Sequence, residues 1–263
     1  MAHDRPEGAP AGRLVVVSLG PGSLDQITPE ASAALAAASD LFGYAPYLDR
    51  LVLAPGQVRH ASDNRQELSR AQAALELAAQ GRAVAVVSGG DAGVFAMAAA
   101  VCEAIEAGPD AWRALDVAVV PGVTAMLAVA ARVGAPLGHD FCAISLSDNL
   151  KPWDVIETRL RAAAGAGFVM AFYNPVSRAR PWQLDRAFEI LRAELPPETL
   201  VVFGRAAGRP DERIAIVPLS AARGDMADMA TCILVGSTAT RMISRPGRPP
   251  LVYSPRALAK PEG

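Results

Sequence analysis

Three times in its first half this chain runs through β-branched and other apolar residues, stops at glycine, and continues into an alanine-rich stretch. Residues 14–19 end in Gly20-Pro21-Gly22, residues 83–87 in Ser88-Gly89-Gly90-Asp91-Ala92-Gly93, and residues 117–120 in Pro121-Gly122-Val123-Thr124-Ala125. Strand, glycine loop and helix in that order are the units of a parallel sheet covered by helices, so an α/β fold is predicted. Thr28 is suited to cap a helix begun by Pro29 and Glu30 and reaching about Ser39. An amphipathic helix spans about 65–79 until Gly81 stops it, and another runs from the third loop to about Val133.

Gly134, Pro136, Gly138 and Asp140 interrupt this pattern, and the boundary between a first domain, 13–138, and a second, 139–244, is predicted there. A length of 263 residues, about 1.8 domains of ordinary size, agrees with two units. Beyond the breakers the period restarts with strands at 141–146, 168–173 and 200–204 and helices at 153–164 and 181–194. Strands near 214–217 and 231–235 follow, with short connections that point to antiparallel pairing. Residues 1–12 read as a flexible N-terminus. Prolines at 246, 249, 250, 255 and 261 among basic residues predict an irregular basic tail over 245–263.

With 51% hydrophobic and 20% charged residues the chain can bury full cores, which excludes a largely disordered protein. Lys+Arg 25 against Asp+Glu 27 gives a net charge of -2, so no whole-molecule field draws nucleic acid or a membrane. An anionic ligand has to be met locally. Cys102, Cys142 and Cys232 contain no C-x-x-C pair and read as small buried hydrophobes of a reducing compartment. The absence of an apolar N-terminal core, and of any apolar run near 18 residues, points to a cytoplasmic protein. His3, His60 and His139 lack ligand spacing, so no metal is expected. Neither G-x-G-x-x-G nor G-x-S-x-G occurs, and Lys151 and Lys260, the only lysines, follow no P-loop.

Ligands of open α/β sheets bind beyond the carboxyl ends of strands, where backbone amides are free. Gly20-Pro21-Gly22 is either an ordinary turn or a place where backbone approaches a ligand. Asp91 either accepts hydrogen bonds from ligand hydroxyls or starts the next helix, and Thr124 serves equally as a helix cap. The string from Phe172 to Arg180 offers aromatic faces and guanidinium forks suited to a flat polycarboxylate, or else core aromatics and a solvated loop. Ser145-Leu146-Ser147-Asp148 is either a turn or a polar cluster near the domain junction.

In order, Leu19-Gly20-Pro21-Gly22, Ser88-Gly89-Gly90-Asp91, Pro121-Gly122-Val123-Thr124-Ala125, Ser145-Leu146-Ser147-Asp148 and Phe172-Tyr173-Asn174-Pro175 resemble the tetrapyrrole methylase family. These are the class III S-adenosylmethionine methyltransferases, and the resemblance covers about residues 13–240. Gly134-Ala135-Pro136-Leu137-Gly138-His139-Asp140-Phe141, Pro152-Trp153, Ser177 and Asp228-Met229-Ala230-Thr231 add to it. Together these strings are most similar to the branch that methylates precorrin-3B at C17 with ring contraction.

The resemblance implies two αβα domains with S-adenosylmethionine in the cleft between them, a tetrapyrrole trough alongside, and a homodimer. Residue by residue it implies donor contacts from Pro21, Gly89, Gly90, Asp91, Val94, Phe95, Thr124, Ala125, Tyr173, Asn174 and Ala207. Ser145, Ser147 and Asp148 become candidates for orienting the macrocycle's oxygen functions, and Arg178 and Arg180 for its carboxylates. Three positions depart from the branch: Ala92 stands in place of proline, Ala206 in place of asparagine, and Ser254-Pro255-Arg256-Ala257 in place of Thr-Pro-Arg-Gly. Two other readings stay open, a sibling methylase for a cobalt-containing precorrin and a tetrapyrrole-binding protein without catalysis. A nicotinamide dehydrogenase lacks its fingerprint.

Overall fold

Successive residues of an extended strand point to opposite faces, so a run apolar at every position needs cover on both. In the computed structural model, which describes residues 12–257, Leu14 and Val16 of β1 (Arg13–Ser18) lie in one apolar cluster and Val15 and Val17 in another. The first unit continues with α1 (Pro29–Ala37), β2 (Asp40–Tyr44), the single turn α2 (Ala45–Leu48), β3 (Val58–Ser62) and α3 (Glu67–Ala79). It ends with β4 (Ala83–Ser88), α4 (Met97–Ala107), the short α5 (Asp110–Arg113) and β5 (Asp116–Val120). Its strands pair in parallel in the order β3-β2-β4-β1-β5. Ala74, Leu75 and Ala78 of α3 and Val101 of α4 cover one face, and Ala31 of α1 and Leu48 of α2 the other. Thr28 caps α1, accepting from the Ala31 amide at 3.1 Å.

β2 and β3 have no counterpart in the sequence reading. β2 opens on Asp40, a residue type that strands disfavour, yet the carboxylate is buried among partners. His60 Nε2 lies 2.9 Å from it, Arg82 Nε donates at 2.8 Å and Ser39 Oγ at 2.7 Å. β3, Val-Arg-His-Ala-Ser, is the polar edge strand.

The second unit begins at Ala125 with α6 (Ala125–Val133), β6 (Gly134–Ala135), β7 (Phe141–Ser145), α7 (Trp153–Gly165) and β8 (Val169–Tyr173). Then come α8 (Gln183–Glu194), β9 (Leu200–Arg205), β10 (Arg213–Pro218), β11 (Thr231–Val235), β12 (Arg241–Arg245) and β13 (Arg248–Tyr253). The main sheet has the order β10-β9-β11-β8-β7, parallel between β7 and β8 and antiparallel elsewhere. Ile156 and Leu160 of α7 and Leu184, Phe188 and Leu191 of α8 pack with Phe172 and Phe203 in its core.

Two boundaries differ from the sequence reading. The chain divides between Thr124 and Ala125, ahead of the breaker cluster, and α6 packs on β11 and β13 of the second unit. Gly204 of β9 makes room for it: a Cβ there would stand 2.2 Å from Val129 Cγ2. The expected irregular tail is instead a hairpin as far as Tyr253, with β12 antiparallel to β13 and β13 parallel to β6. Pro246 and Gly247, the latter at φ +68°, turn the chain between them. Ser254 then ties the end down, its hydroxyl donating to the Pro136 carbonyl at 2.6 Å. The expectations for residues 1–11 and 258–263, Pro261 included, lie outside the described residues.

Cys232 is buried and Cys142 half-buried, but Cys102 is exposed, since α4 turns positions 97, 98, 101 and 104 inward. Burial pushes the Cys232 thiol up to about 12. Among the described residues no helix is long and apolar enough to cross a membrane, and no cluster of His, Cys, Asp or Glu is arranged to hold a metal.

Candidate active site

Because β1, β4 and β5 run parallel, with Ser18 opposite Ser88 and Val17 opposite Val120, the loops after them leave from one edge of the sheet. Gly20 and Gly90 pair there, each amide donating to the other's carbonyl at 3.0 Å, at φ +64° and +66°. Glycine takes such angles without strain. Ser18, buried at the end of β1, donates to the Val120 carbonyl at 2.7 Å and accepts from the Ala92 amide at 2.8 Å. A proline at 92 has no amide to give, so this departure from the branch adds a hydrogen bond.

Asp91 uses both carboxylate oxygens on backbone: Oδ1 accepts from Gly93 at 2.8 Å and Oδ2 from Gly122 at 2.9 Å. It thereby ties the second glycine loop to the third. A Cβ at Gly122 would stand 2.5 Å from Ser18 Cβ, and one at Gly89 2.7 Å from the Tyr47 ring. At Gly90 it would meet nothing within 4 Å, so this is the open side of the loop. Pro21 and Val94 are half-buried, Thr124 is buried, and Phe95 is 51% exposed at φ +52°.

In the second unit Ser145 lies opposite Tyr173, so the loops after β7 and β8 also share an edge. The Tyr173 hydroxyl accepts from the Met126 amide at 3.0 Å, in the first turn of α6 next to Ala125. Asn174, at φ +51°, donates through Nδ2 to Ser145 Oγ at 3.0 Å. Gln183, only 1% exposed, donates through Nε2 to both oxygens of Asp148 at 3.1 Å. Lys151 Nζ donates to the Ser147 carbonyl at 3.2 Å, and burial, with Arg159 and Arg180 nearby, pulls its pKa below the usual lysine value. After β9, Ala206 and Ala207 are buried, with Ala206 at φ +50° and its amide on the Ala230 carbonyl at 2.9 Å. Arg205 beside them pairs with Asp228 at 2.8 Å and Asp211 at 2.6 Å.

Residues 13–223 match the family model of the tetrapyrrole (corrin/porphyrin) methylases. The chain belongs to this family. Over 248 residues this tetrapyrrole methylase is 65% identical to a precorrin-3B C(17)-methyltransferase of a Sinorhizobium species, covering 94% of this chain and 98% of that one. It is 42% identical over 237 residues to a "probable cobalt-factor III C(17)-methyltransferase" of Salmonella typhimurium, covering 86% of this chain and 93% of that one. The crystal structure of the methyltransferase CobJ aligns at a TM-score of 0.89 with 53% identity, over 93% of this chain and 100% of that one.

Within this tetrapyrrole methylase, Gly90 pairs with Gly20, Asp91 holds Gly122, Ser18 joins Ala92 to Val120, and Gly89 packs against Tyr47. Ser145, Asn174 and Arg180 form a hydrogen-bonded group, Tyr173 holds the Met126 amide, and Asp148 is held separately by Gln183. Arg178 and Arg180 are not equivalent. Arg180 is buried and donates through Nη1 to the Asn174 carbonyl at 3.0 Å, whereas Arg178 is exposed. The sequence reading missed Ser18, Tyr47 and Gln183. Ser18 carried a signal, the serine matched to Ser88 at the end of an aligned apolar run. Tyr47 and Gln183 carried none, because they reach Gly89 and Asp148 only through the fold.

Proposed function

We propose that this tetrapyrrole methylase transfers the methyl group of S-adenosylmethionine to C17 of precorrin-3B, with ring contraction to precorrin-4. The observation that carries the proposal is the 65% identity, along nearly the whole of both chains, with a precorrin-3B C(17)-methyltransferase, against 42% with the cobalt-factor III protein. The Ser145–Asp148, Pro152-Trp153 and Tyr173-Asn174-Pro175 strings support the same substrate.

The glycine loops suit a donor recognised largely through main chain, since a Cβ at Gly90 would enter open space that a ligand can use. S-adenosylmethionine supplies a sulfonium-bound methyl group, electrophilic enough to need no protein base at the donor. Its contacts are assigned to Pro21, Gly89, Gly90, Asp91, Val94, Phe95, Thr124, Ala125, Tyr173, Asn174 and Ala207. Asp91 acts by fixing the second loop to the third, and Tyr173 by holding the first turn of α6. The chain's main task is to hold C17 in line with the methyl group, an effect of roughly 7 to 11 kcal/mol. Ser145, Ser147 and Asp148 orient the oxygen functions of the macrocycle. Arg178 takes one of its carboxylates, and Arg180 shapes the loop that carries Arg178. The protein acts in the cytoplasm as a homodimer, without nucleic-acid or membrane partners, in keeping with its net charge of -2.

Incubation with precorrin-3B and methyl-labelled S-adenosylmethionine tests this. One label at C17 and a contracted ring are expected, read by mass spectrometry and carbon NMR. Methylation at another carbon, turnover of cobalt-factor III alone, or no incorporation would overturn it. Asp148→Ala should slow turnover while S-adenosylhomocysteine still binds, because an interaction made mainly in the transition state appears in kcat.

A further inference from the structure

Buried guanidinium groups are ordinarily paired with carboxylates, because a charge taken out of water without a counter-charge is costly. Arg70 of α3 departs from this rule. It is 5% exposed, and its partners are neutral: Nε donates to Ser62 Oγ at 2.6 Å, Nη2 to the Asp63 carbonyl at 2.7 Å and Nη1 to the Met97 sulfur at 3.2 Å. Among the described residues no carboxylate lies within ion-pair distance of it. Burial pulls its pKa down, against the opposing electrostatic influence of Glu67 and Tyr47. A guanidinium carries five N–H donors, so these bonds do not exhaust it.

Arg70 forms one wall of a cavity of about 220 Å³. The other polar lining is His60, Ser62 and Ser69, with Phe42 and Ala73 as apolar walls. Ser62 Oγ accepts from Arg70, which leaves its own proton to donate. His60 is fixed by its stack on Phe42, ring centroids 4.2 Å apart, and by its contact with Asp40.

Ser62, in the cavity wall, lies at the same end of the parallel sheet as the residues that precede the glycine loops. Ser62 ends β3 opposite Tyr44 in register, and Met97 begins α4 directly after the second glycine loop. Tyr47, the residue against Gly89, meets the Tyr44 ring edge-on at 5.4 Å. A planar guanidinium fork with a hydroxyl beside it matches a carboxylate bound through both oxygens. We propose that this cavity is a carboxylate pocket in which Arg70 and Ser62 grip one acidic side arm of the tetrapyrrole substrate. The proposal rests on the functional reading above. A free small carboxylate would satisfy the same chemistry, and the experiment separates the two.

Two measurements on the full chain make the test. In thermal unfolding at equal ionic strength, sodium propionate should raise the Tm of the wild type above its value in sodium chloride, and should not do so for Arg70→Gln. In steady-state methyl transfer, Arg70→Gln should raise the KM for precorrin-3B about tenfold, the loss of one charge-assisted hydrogen bond. Its kcat should stay within about twofold, as for a contact made equally in ground and transition state. S-adenosylhomocysteine affinity should be unchanged, and Arg70→Lys should recover part of the KM. If Arg70→Gln does not fold, Ala73→Asp replaces it: a carboxylate grown from the cavity wall should occupy Arg70, remove the propionate effect and raise KM.

A propionate effect with unchanged KM overturns the side-arm assignment in favour of a free carboxylate. Stabilisation by sodium phosphate in place of propionate overturns the carboxylate. No stabilisation and no change in KM overturns the pocket. A propionate effect in a protein that never turns over precorrin-3B supports the pocket and overturns the reading it rests on.

Discussion

The backbone of the candidate site is held where most side chains resist going. Phe95, Asn174 and Ala206 all sit at positive φ in the loops assigned to the methyl donor. A left-handed conformation costs an L-residue about 1–2 kcal/mol, and asparagine tolerates it better than alanine. The departure of Ala206 from the branch's asparagine therefore leaves strain uncompensated at a buried turn. Ala206→Gly should stabilise the protein by about 1 kcal/mol and raise Tm by about 2–4 °C, and a lower Tm would contradict this. The two loop arginines should separate as their burial does. Arg178→Ala should raise the precorrin-3B KM with stability within about 0.5 kcal/mol of wild type, as for an exposed side chain. Arg180→Ala should cost about 1–3 kcal/mol in denaturant unfolding, because the Asn174 carbonyl loses its donor.

Among the elements, α6 is the one whose place is hardest to read locally. It follows β5 as a crossover helix would, yet its buried residues Ala128, Val129 and Val133 serve the second unit. The reason is a fit in volume, with Val129 seated where Gly204 has no side chain. Gly204→Ala should overpack this contact and destabilise by about 1–3 kcal/mol. Combined with Val129→Ala the loss should be smaller than the sum of the single losses, whereas additivity would mean the two residues do not share a site. The C-terminal hairpin also turns on tertiary partners. Its prolines look like breakers in isolation, but Pro246-Gly247 makes the turn, and β6, a strand of two residues, pairs with β13.

On the scale of the whole molecule, lowered carboxylate pKa values occur in both units. Burial pushes Asp40 up, but hydrogen bonds from His60, Ser39 and Arg82 outweigh it and hold it below the usual value. Burial likewise opposes, and loses to, the Gly208 amide and Arg132 at Glu212, and Thr231, Arg205 and the Ala230 amide at Asp228. Each of these groups binds its proton less readily folded than unfolded. Their stabilisation is thus present above the unfolded values of about 3.9 and 4.3 and is lost as pH falls through the folded pKa values. Tm should accordingly fall on acidification below about pH 4.5. Asp40→Asn should make the acid limb shallower, and an unchanged slope would remove Asp40 from this account.

The sequence by itself determined the α/β class, the glycine loops at the ends of apolar runs, and the family, because these signals are local: a period of two or 3.6 residues, a cap, a residue that tolerates positive φ. Ser145, Asp148, Tyr173 and Asn174 were legible as a cluster because two short strings carry them all. Only the tertiary structure decided what each polar group does there. The Asp91 carboxylate meets Gly122 across 31 positions, Asp148 meets Gln183 across 35, and Tyr173 meets Met126 across 47. Arg70 is buried without a counter-charge only because β3 and α4 close around it. Contacts at such separations depend on how strands pair and which helix covers which face, and one-dimensional periodicity specifies a face without naming the partner that covers it.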